Sequence, residues 1–485
     1  MILIEYTGEE DFLYDIQGIV RSFFPGIDMT LEHDSSADMV LKVDISEKKV
    51  AFELDGGERI TGKTQKIDRS DRKDTKNILK RTLYDILKEY TGKTLPWGTL
   101  SGIRPTKITT ELLKLGKSID EIHDYIEKEY YLSGKKAELS INISKQELKI
   151  LSEIDYKNGY SIYIGIPFCP SRCAYCSFTS YPLSIYKKKT DAYIETLLKE
   201  LDFIAESYKD KKLNTIYIGG GTPTTLEPYQ SDRLLTHIEN IFDFSQMKEF
   251  TVEAGRPDSI TKEKLEVIRS HPVTRISVNP QTMSDKTLQV IGRKHTTDQF
   301  YEAFENARDC GFDNINVDLI VGLPGEGPDE IKNTMEKISA ISPESVTVHS
   351  LAIKRAARLN TSKSDFLEYS SVNSEEIMEL TAQYTKNMGM LPYYLYRQKN
   401  MTGNLENVGY AKPGKEGIYN ILIMEEKQSI IGAGAGAATK MVFPEEKDGR
   451  RIQRIENVKD VDCYIDRIDE MIGRKRNFID EFGCF

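Results

Sequence analysis

Six short apolar runs between residues 160 and 350, separated by amphipathic stretches of helical period, constrain this chain's fold more than any other feature of it. The runs are 161–166, 215–218, 250–253, 275–279, 315–320 and 345–349, and helical stretches such as 192–208 and 297–310 lie between them. Alternating strand and helix implies a parallel sheet, because parallel neighbours need a long crossover. Six units fall short of the eight that close a barrel, so the pattern predicts an α/β fold built on an open, partial (β/α)6 barrel. In such a sheet the chemistry belongs in the loops after the carboxyl ends of the strands.

The loop after the first run carries the sharpest chemical signal. It reads Ile166-Pro167-Phe168-Cys169-Pro170-Ser171-Arg172-Cys173-Ala174-Tyr175-Cys176-Ser177-Phe178, with spacing Cys-x3-Cys-x2-Cys. Three of the chain's six cysteines therefore sit on one tight loop, whereas Cys310, Cys463 and Cys484 are scattered. A secreted disulfide scaffold would be shorter and would spread its cysteines. A zinc site wants four protein ligands, and no further Cys or His follows until His237. A ferredoxin-type carrier would likewise need a fourth cysteine nearby. Three thiolates suit a [4Fe–4S] cube with one iron left open to a substrate or cofactor.

This loop resembles that of radical S-adenosylmethionine (SAM) enzymes. The segment Tyr163-Ile164-Gly165-Ile166-Pro167-Phe168-Cys169 and the downstream pattern are similar to the oxygen-independent coproporphyrinogen III oxidase family over about 155 to 485. Gly102-Ile103-Arg104-Pro105-Thr106-Lys107 in the N-terminal part resembles the HemZ branch of that family. The resemblance implies a [4Fe–4S] cluster held by Cys169, Cys173 and Cys176. It also implies SAM as the second cofactor, two molecules per turnover, with no catalytic residue beyond cluster and SAM. The implied reaction is the anaerobic decarboxylation of coproporphyrinogen III to protoporphyrinogen IX. A small tetrapyrrole would be the substrate, and a protein such as flavodoxin or ferredoxin the electron donor.

Polar residues at the expected rim fit that picture. The second run ends in Gly219-Gly220-Gly221-Thr222-Pro223, where glycines let backbone groups approach a ligand closely. Glu253 ends the third run, Gln281 follows the fourth, Arg293 lies in the next helix-loop, and Asp318 is on the fifth. Alone, each reads as a solvated rim residue; together they offer a carboxylate for an ammonium, a guanidinium for a carboxylate, and groups for ribose hydroxyls. The resemblance implies that Gly220, Gly221 and Thr222 meet the methionine end of SAM. By the same resemblance Glu253 and Arg293 bind its amino acid portion, and Gln281 and Asp318 its ribose. Tyr163, Tyr175 and Ala352 match further cofactor-contacting positions, and a second SAM would use Tyr163 or Glu253. His349 reads as a satisfied core residue, and the run 432–437 as close backbone packing and not a dinucleotide turn.

Two departures leave the substrate open, and a third weakens the chaperone alternative. Phe178 stands where the decarboxylases often carry a further cysteine, and Gly165 where they often carry histidine. A related heme-chaperone branch tends to have His-Asn-x-x-Tyr-Trp where this chain has Glu406-Asn407-Val408-Gly409-Tyr410-Ala411. A SAM- and cluster-dependent heme chaperone, or a radical SAM enzyme acting on another tetrapyrrole, remain alternatives.

Around the barrel region of 156–350, residues 1–155 read as an N-terminal α+β accessory domain. It has a hairpin from the alternating runs 41–45 and 50–54, a helix at 72–90, and helical sequence from 106 to 155. Residues 351–485 read as a C-terminal mixed α/β extension covering the substrate, with a mobile link at 359–376, a strand at 418–424 and a closing helix at 461–472. With 66 Lys and Arg against 76 Asp and Glu, the net charge of −10 argues against a nucleic-acid partner. The basic stretch 73–88 reads as a solvated helix face. No apolar run nears the ~20 residues of a membrane span. The N-terminus lacks a basic n-region, so a cytoplasmic protein is expected.

Overall fold

The computed structural model describes residues 1–484 except positions 9, 35, 103, 179, 355, 356, 367, 368, 399, 400, 402, 403, 448 and 449. The chain forms two compact units: Met1–Lys145 with Tyr396–Glu406, and Gln146–Leu395 with Asn407–Phe485. Ile103 of the HemZ-like motif lies outside the described residues, as do Leu367 and Glu368 of the expected link.

The first unit holds a five-stranded sheet in the spatial order Met29–Thr30, Ile2–Thr7, Met39–Ile45, Lys49–Asp55, Ile60–Lys66. The expected hairpin is its antiparallel middle, with Val43 opposite Phe52. Period-2 alternation turns Leu41, Val43, Val50, Phe52 and Leu54 toward helices Leu13–Phe23 and Arg72–Thr91. The longer helix starts at Asp71, whose carboxylate accepts the Asp74 amide, and stops at Gly92 with φ +68°. Among its basic residues Lys80 pairs with Asp15 and Arg81 with Glu129, and both are mostly buried, while Arg72, Lys73 and Lys88 are exposed. Trp97 is fully buried, and its indole N–H donates to Glu406, which also takes Lys136, both at 2.6 Å.

In the second unit the six expected strands form Gly159–Ile166, Lys212–Gly220, Glu249–Gly255, Arg275–Val278, Ile315–Val321 and Ser345–Ser350. They lie side by side in chain order, all parallel. Most of these strands alternate, one face carrying apolar residues such as Phe250, Val252, Ile276, Val278, Val346 and Val348 and the other polar ones such as Thr251, Glu253, Ser277, Asp318, Thr347 and His349. Helices pack on the outer face; Thr190–Ser207 does so through Tyr193, Ile194, Leu197, Leu201 and Ile204. The partial barrel stays open. Ser429–Ala433 joins the first strand in parallel, followed by Ala438–Lys447 and Arg450–Glu456, and Asn407–Ala411 and Leu391–Tyr396 extend the other edge.

The C-terminal stretch corrects two expectations. Residues 418–424 are not a strand but lie in the helix Ile418–Glu425. The stretch, apolar except for Asn420, is too short to show a period that tells helix from strand. The structure decides for helix because the buried Glu249 carboxylate accepts the Ile418 amide at its start. The closing helix is two, Val461–Asp466 and Ile468–Phe482, broken at Arg467. The expected link contains the short helix Arg358–Thr361, and the Leu359 amide donates to Ala174 in the cysteine loop at 2.9 Å. Among the described residues no helix is long and apolar enough to cross a membrane.

Candidate active site

The cysteine loop leaves the first parallel strand and is fixed at both sides of its middle. Phe168–Cys169 pairs with Tyr181–Pro182, and Ala174 donates to Ile291 O and accepts from Leu359 N, each at 2.9 Å. Ala174 is buried among Leu288, Ile291, Leu323, Leu351 and Leu359, with Tyr175 packed against them. This anchor sits between Cys173 and Cys176 and so sets where both thiols point. Cys169 and Cys173 are buried and Cys176 half-buried. Burial pushes the Cys169 thiol up to about 11, against a hydrogen bond with Thr222 and with help from the two neighbouring thiols. Burial also pushes Cys176 up.

Such a donor set fits an iron–sulfur cube. Each thiolate of a cube takes a different iron, so its ligands stand around the group without converging on one point. Among the described residues, no group of three or more Cys, His, Asp or Glu is arranged to hold a metal ion. Metal binding also offsets the cost of ionising buried thiols.

The glycine turn after the second strand is stitched to this loop. Gly221 N donates to Ile166 O and Thr222 N to Phe168 O, both at 2.8 Å, and Thr222 Oγ1 lies 3.6 Å from Cys169 Sγ. A Cβ on Gly221 would sit 2.5 Å from Phe168 O, and Gly220 turns with φ +109°. Only glycine permits so close a cradle.

The remaining expected residues fall into two linked groups. Arg293 Nε donates to Tyr175 at 3.2 Å, and its Nη1 donates to the Asn279 carbonyl, beside Cys173. The Asn279 side chain accepts the Asp318 amide at 3.2 Å and leads to the second group. There Asn316 donates to the Asp318 carboxylate at 2.7 Å and His349 Nε2 stands 3.9 Å away. Burial works against ionisation of Asp318, but His349 and Asn316 outweigh it and hold its carboxyl below the usual range. Gln281 is bonded through its backbone to the fifth strand, donating to Asp318 O and accepting from Ile320 N. It does so at φ +72°, a strained conformation for a non-glycine residue of the kind that gathers at functional sites. Glu253 accepts from Tyr217, and burial above all pushes its carboxyl up to about 7. Tyr163, Tyr217 and Tyr419 stack beside it, the closest ring pair 4.5 Å apart. Ala352 lies just past the sixth strand, next to Leu351 of the loop's apolar anchor.

Sequence reasoning missed Tyr217, Tyr419, Asn279 and Arg256. Tyr217 shares strand parity with Gly219, a usable signal; Tyr419 stood on the misassigned strand. His349, read as a core residue, is half-buried against Asp318. His295 is buried, and desolvation with the nearby Arg293 holds its pKa down to about 3. The 432–437 run is close packing, since a Cβ on Gly434 would meet Gly165 O at 2.5 Å.

Comparison with known proteins shows the family. The radical SAM superfamily model matches residues 163–338. The oxygen-independent coproporphyrinogen-III oxidase-like protein HemZ of Bacillus subtilis is 37% identical over 99% of this chain and 98% of its own length. The chain belongs to the HemZ branch of the radical SAM coproporphyrinogen oxidase family. The heme chaperone HemW of Lactococcus lactis is 34% identical over 57% of the chain and 69% of that protein. The solved structure of coproporphyrinogen III oxidase (HemN) from Escherichia coli, titled a radical SAM enzyme, matches 65% of the chain and 70% of its own at 20% identity with a TM-score of 0.51, which shows the shared fold. Radical SAM proteins of this kind carry a [4Fe–4S] cluster and SAM, as the cysteine loop led us to expect.

Proposed function

We propose that the chain catalyses the anaerobic oxidative decarboxylation of coproporphyrinogen III to protoporphyrinogen IX. The observation that carries this reading is the end-to-end likeness to the oxidase-like HemZ, N-terminal unit included, over a site with three thiols and polar groups that are buried (Gln281, Arg293) or half-buried (Glu253, Asp318). Cys169, Cys173 and Cys176 hold the cluster. Gly220, Gly221 and Thr222 offer backbone groups to the methionine end of SAM, Glu253 takes its ammonium, and Arg293 its carboxylate. Gln281 and Asp318 bind ribose hydroxyls, with Tyr163, Tyr175 and Ala352 around the cofactor. Bound together, cluster and SAM supply a 5′-deoxyadenosyl radical able to take a hydrogen atom from a propionate side chain. The chain's part is to orient that carbon and exclude water. Two propionates each lose CO2 and pass one electron to an acceptor, leaving vinyl groups, so two SAM are consumed. A low-potential one-electron protein of the flavodoxin or ferredoxin kind serves as donor.

The test is an anaerobic assay of reconstituted protein with SAM, reductant and coproporphyrinogen III, followed by mass spectrometry. Loss of two carboxyl groups coupled to 5′-deoxyadenosine is the expected result. The HemW likeness supports a second reading, heme delivery; tight one-to-one heme binding with no vinyl product would favour it. Alanine at Cys169, Cys173 or Cys176 is expected to abolish the cluster, read as iron and sulfide per chain. A full, SAM-cleaving cluster in any of the three would overturn the ligand assignment.

A further inference from the structure

The third parallel strand ends irregularly. Its register against the fourth pairs Glu253 with Ser277 and then Gly255 with Val278, so Ala254 is an extra residue. Gly255 follows with φ +74°. A bulge of this kind bends its strand and re-aims the side chain that comes after it. That side chain is Arg256, 3% exposed.

The Arg256 guanidinium reaches two ways. Nε and Nη2 donate to the two carboxylate oxygens of Asp258 at 2.9 and 2.6 Å. Nη1 donates to the carbonyl and the hydroxyl of Ser171, both at 2.9 Å, and stands 3.8 Å from Cys173 Sγ. Ser171 lies in the spacer between Cys169 and Cys173, and its hydroxyl reaches Gly292 O at 3.5 Å. Holding a loop needs no buried ion pair, since neutral hydrogen bonds do so at a smaller desolvation cost. What the pair adds is a fixed positive charge against one thiol, with a carboxylate partly balancing it.

We propose that Arg256 is a positioning residue of the iron–sulfur site, which fixes the Cys169–Cys173 spacer and raises the cluster's reduction potential, with Asp258 as the opposing charge. The proposal rests on Cys169, Cys173 and Cys176 being the ligands. Reduction adds one electron from a low-potential donor, and a nearby cation and hydrogen bonds to sulfur both favour the more negative, reduced state. Removing the guanidinium therefore lowers the potential, and removing its carboxylate raises it. Purely structural support would give no such opposition of sign.

The experiment compares anaerobically reconstituted full-length wild type with Arg256→Gln, Arg256→Lys and Asp258→Asn. Dithionite titration with redox mediators reads the midpoint potential from the EPR signal of the reduced cluster, and iron and sulfide are counted per chain. Arg256→Gln is expected to shift the midpoint to more negative values, Arg256→Lys to stay near wild type, and Asp258→Asn to shift it to more positive values. Four equal potentials, or shifts of one sign in the Gln and Asn variants, overturn the proposal. Should Arg256→Gln hold too little cluster to titrate, the other variants decide it: an Asp258→Asn midpoint at or below wild type overturns it, and one above supports it. Failure of the ligand assignment has a separate signature, full cluster content in Cys173→Ala, measured before any potential is compared.

Discussion

Glu253 is half-buried, and the desolvation of its carboxyl lifts it to about 7, against the hydrogen bond from Tyr217 and the charge of His349 and with the repulsion of Asp318. A carboxylate recognises an ammonium group only when ionised, so the protonated form has to release its proton as SAM binds. The sign follows: affinity for SAM rises with pH through about 7 as the free site ionises, until an α-amino group gives up its own proton at about pH 8. Calorimetry on the cluster-loaded protein at about pH 6 and about pH 7.5 reads this directly, together with proton release at the lower pH. Glu253→Gln is expected to remove the slope and to weaken binding at the higher pH about 10- to 100-fold, the worth of a hydrogen bond to a charged group. A wild-type affinity that does not change with pH would sink the ammonium role.

At the scale of elements, the glycine turn and the cysteine loop act as one piece because their backbones touch. A Cβ on Gly221 would lie 2.5 Å from Phe168 O, a backbone atom that cannot swing away, whereas the nearest atom to a Cβ on Gly165 is 3.6 Å off. Gly221→Ala should therefore destabilise by about 1–3 kcal/mol and lower cluster content, while Gly165→Ala changes stability by less than about 1 kcal/mol. Thermal unfolding and iron counts on both variants check it; equal behaviour would mean the turn does not buttress the loop. These two elements were legible in the sequence because a ligand spacing and a glycine run are local patterns, and the six strands because short β-branched segments, most of them alternating apolar and polar, recur between helical stretches. The bulge that delivers Arg256 was not legible, since register is a property of two strands and not of one. Tyr419 was hidden for a related reason. Its stretch 418–424, apolar except for Asn420, is too short to show a period, and the Glu249 carboxylate that accepts the Ile418 amide at the helix start is a contact no local pattern announces.

At the scale of the whole molecule, each compact unit closes on a buried ion pair between residues far apart in the chain. In the first, Lys136 meets Glu406 at 2.6 Å, with Trp97 on the other carboxylate oxygen. This pair brings the late segment Tyr396–Glu406 into a unit otherwise built from the first 145 residues. No local pattern announces a contact across 270 positions. In the second, Lys475 meets Glu200 at 2.6 Å, and Glu200 also accepts Gly434 N, Asn457 and Tyr464, tying the closing helix to the turn that packs on Gly165. A pair of this kind adds little over an apolar substitute, but removing one partner strands a charge out of water and costs about 3–5 kcal/mol. Each unit has its own reporter, because the single tryptophan lies in the first and the cysteine loop in the second. In urea, Lys136→Met is expected to bring the Trp97 fluorescence transition forward by that amount. Lys475→Met should do the same to the loss of cluster absorbance. Restoring neutrality with Glu200→Gln in the Lys475→Met chain should recover part of that loss, since no unpaired charge is then left buried, whereas Glu406→Gln should recover less, because Glu406 is also the counter-charge of the buried Arg397. A single Lys→Met change worth under about 1 kcal/mol in its own transition would show that water reaches the carboxylate once the lysine is gone.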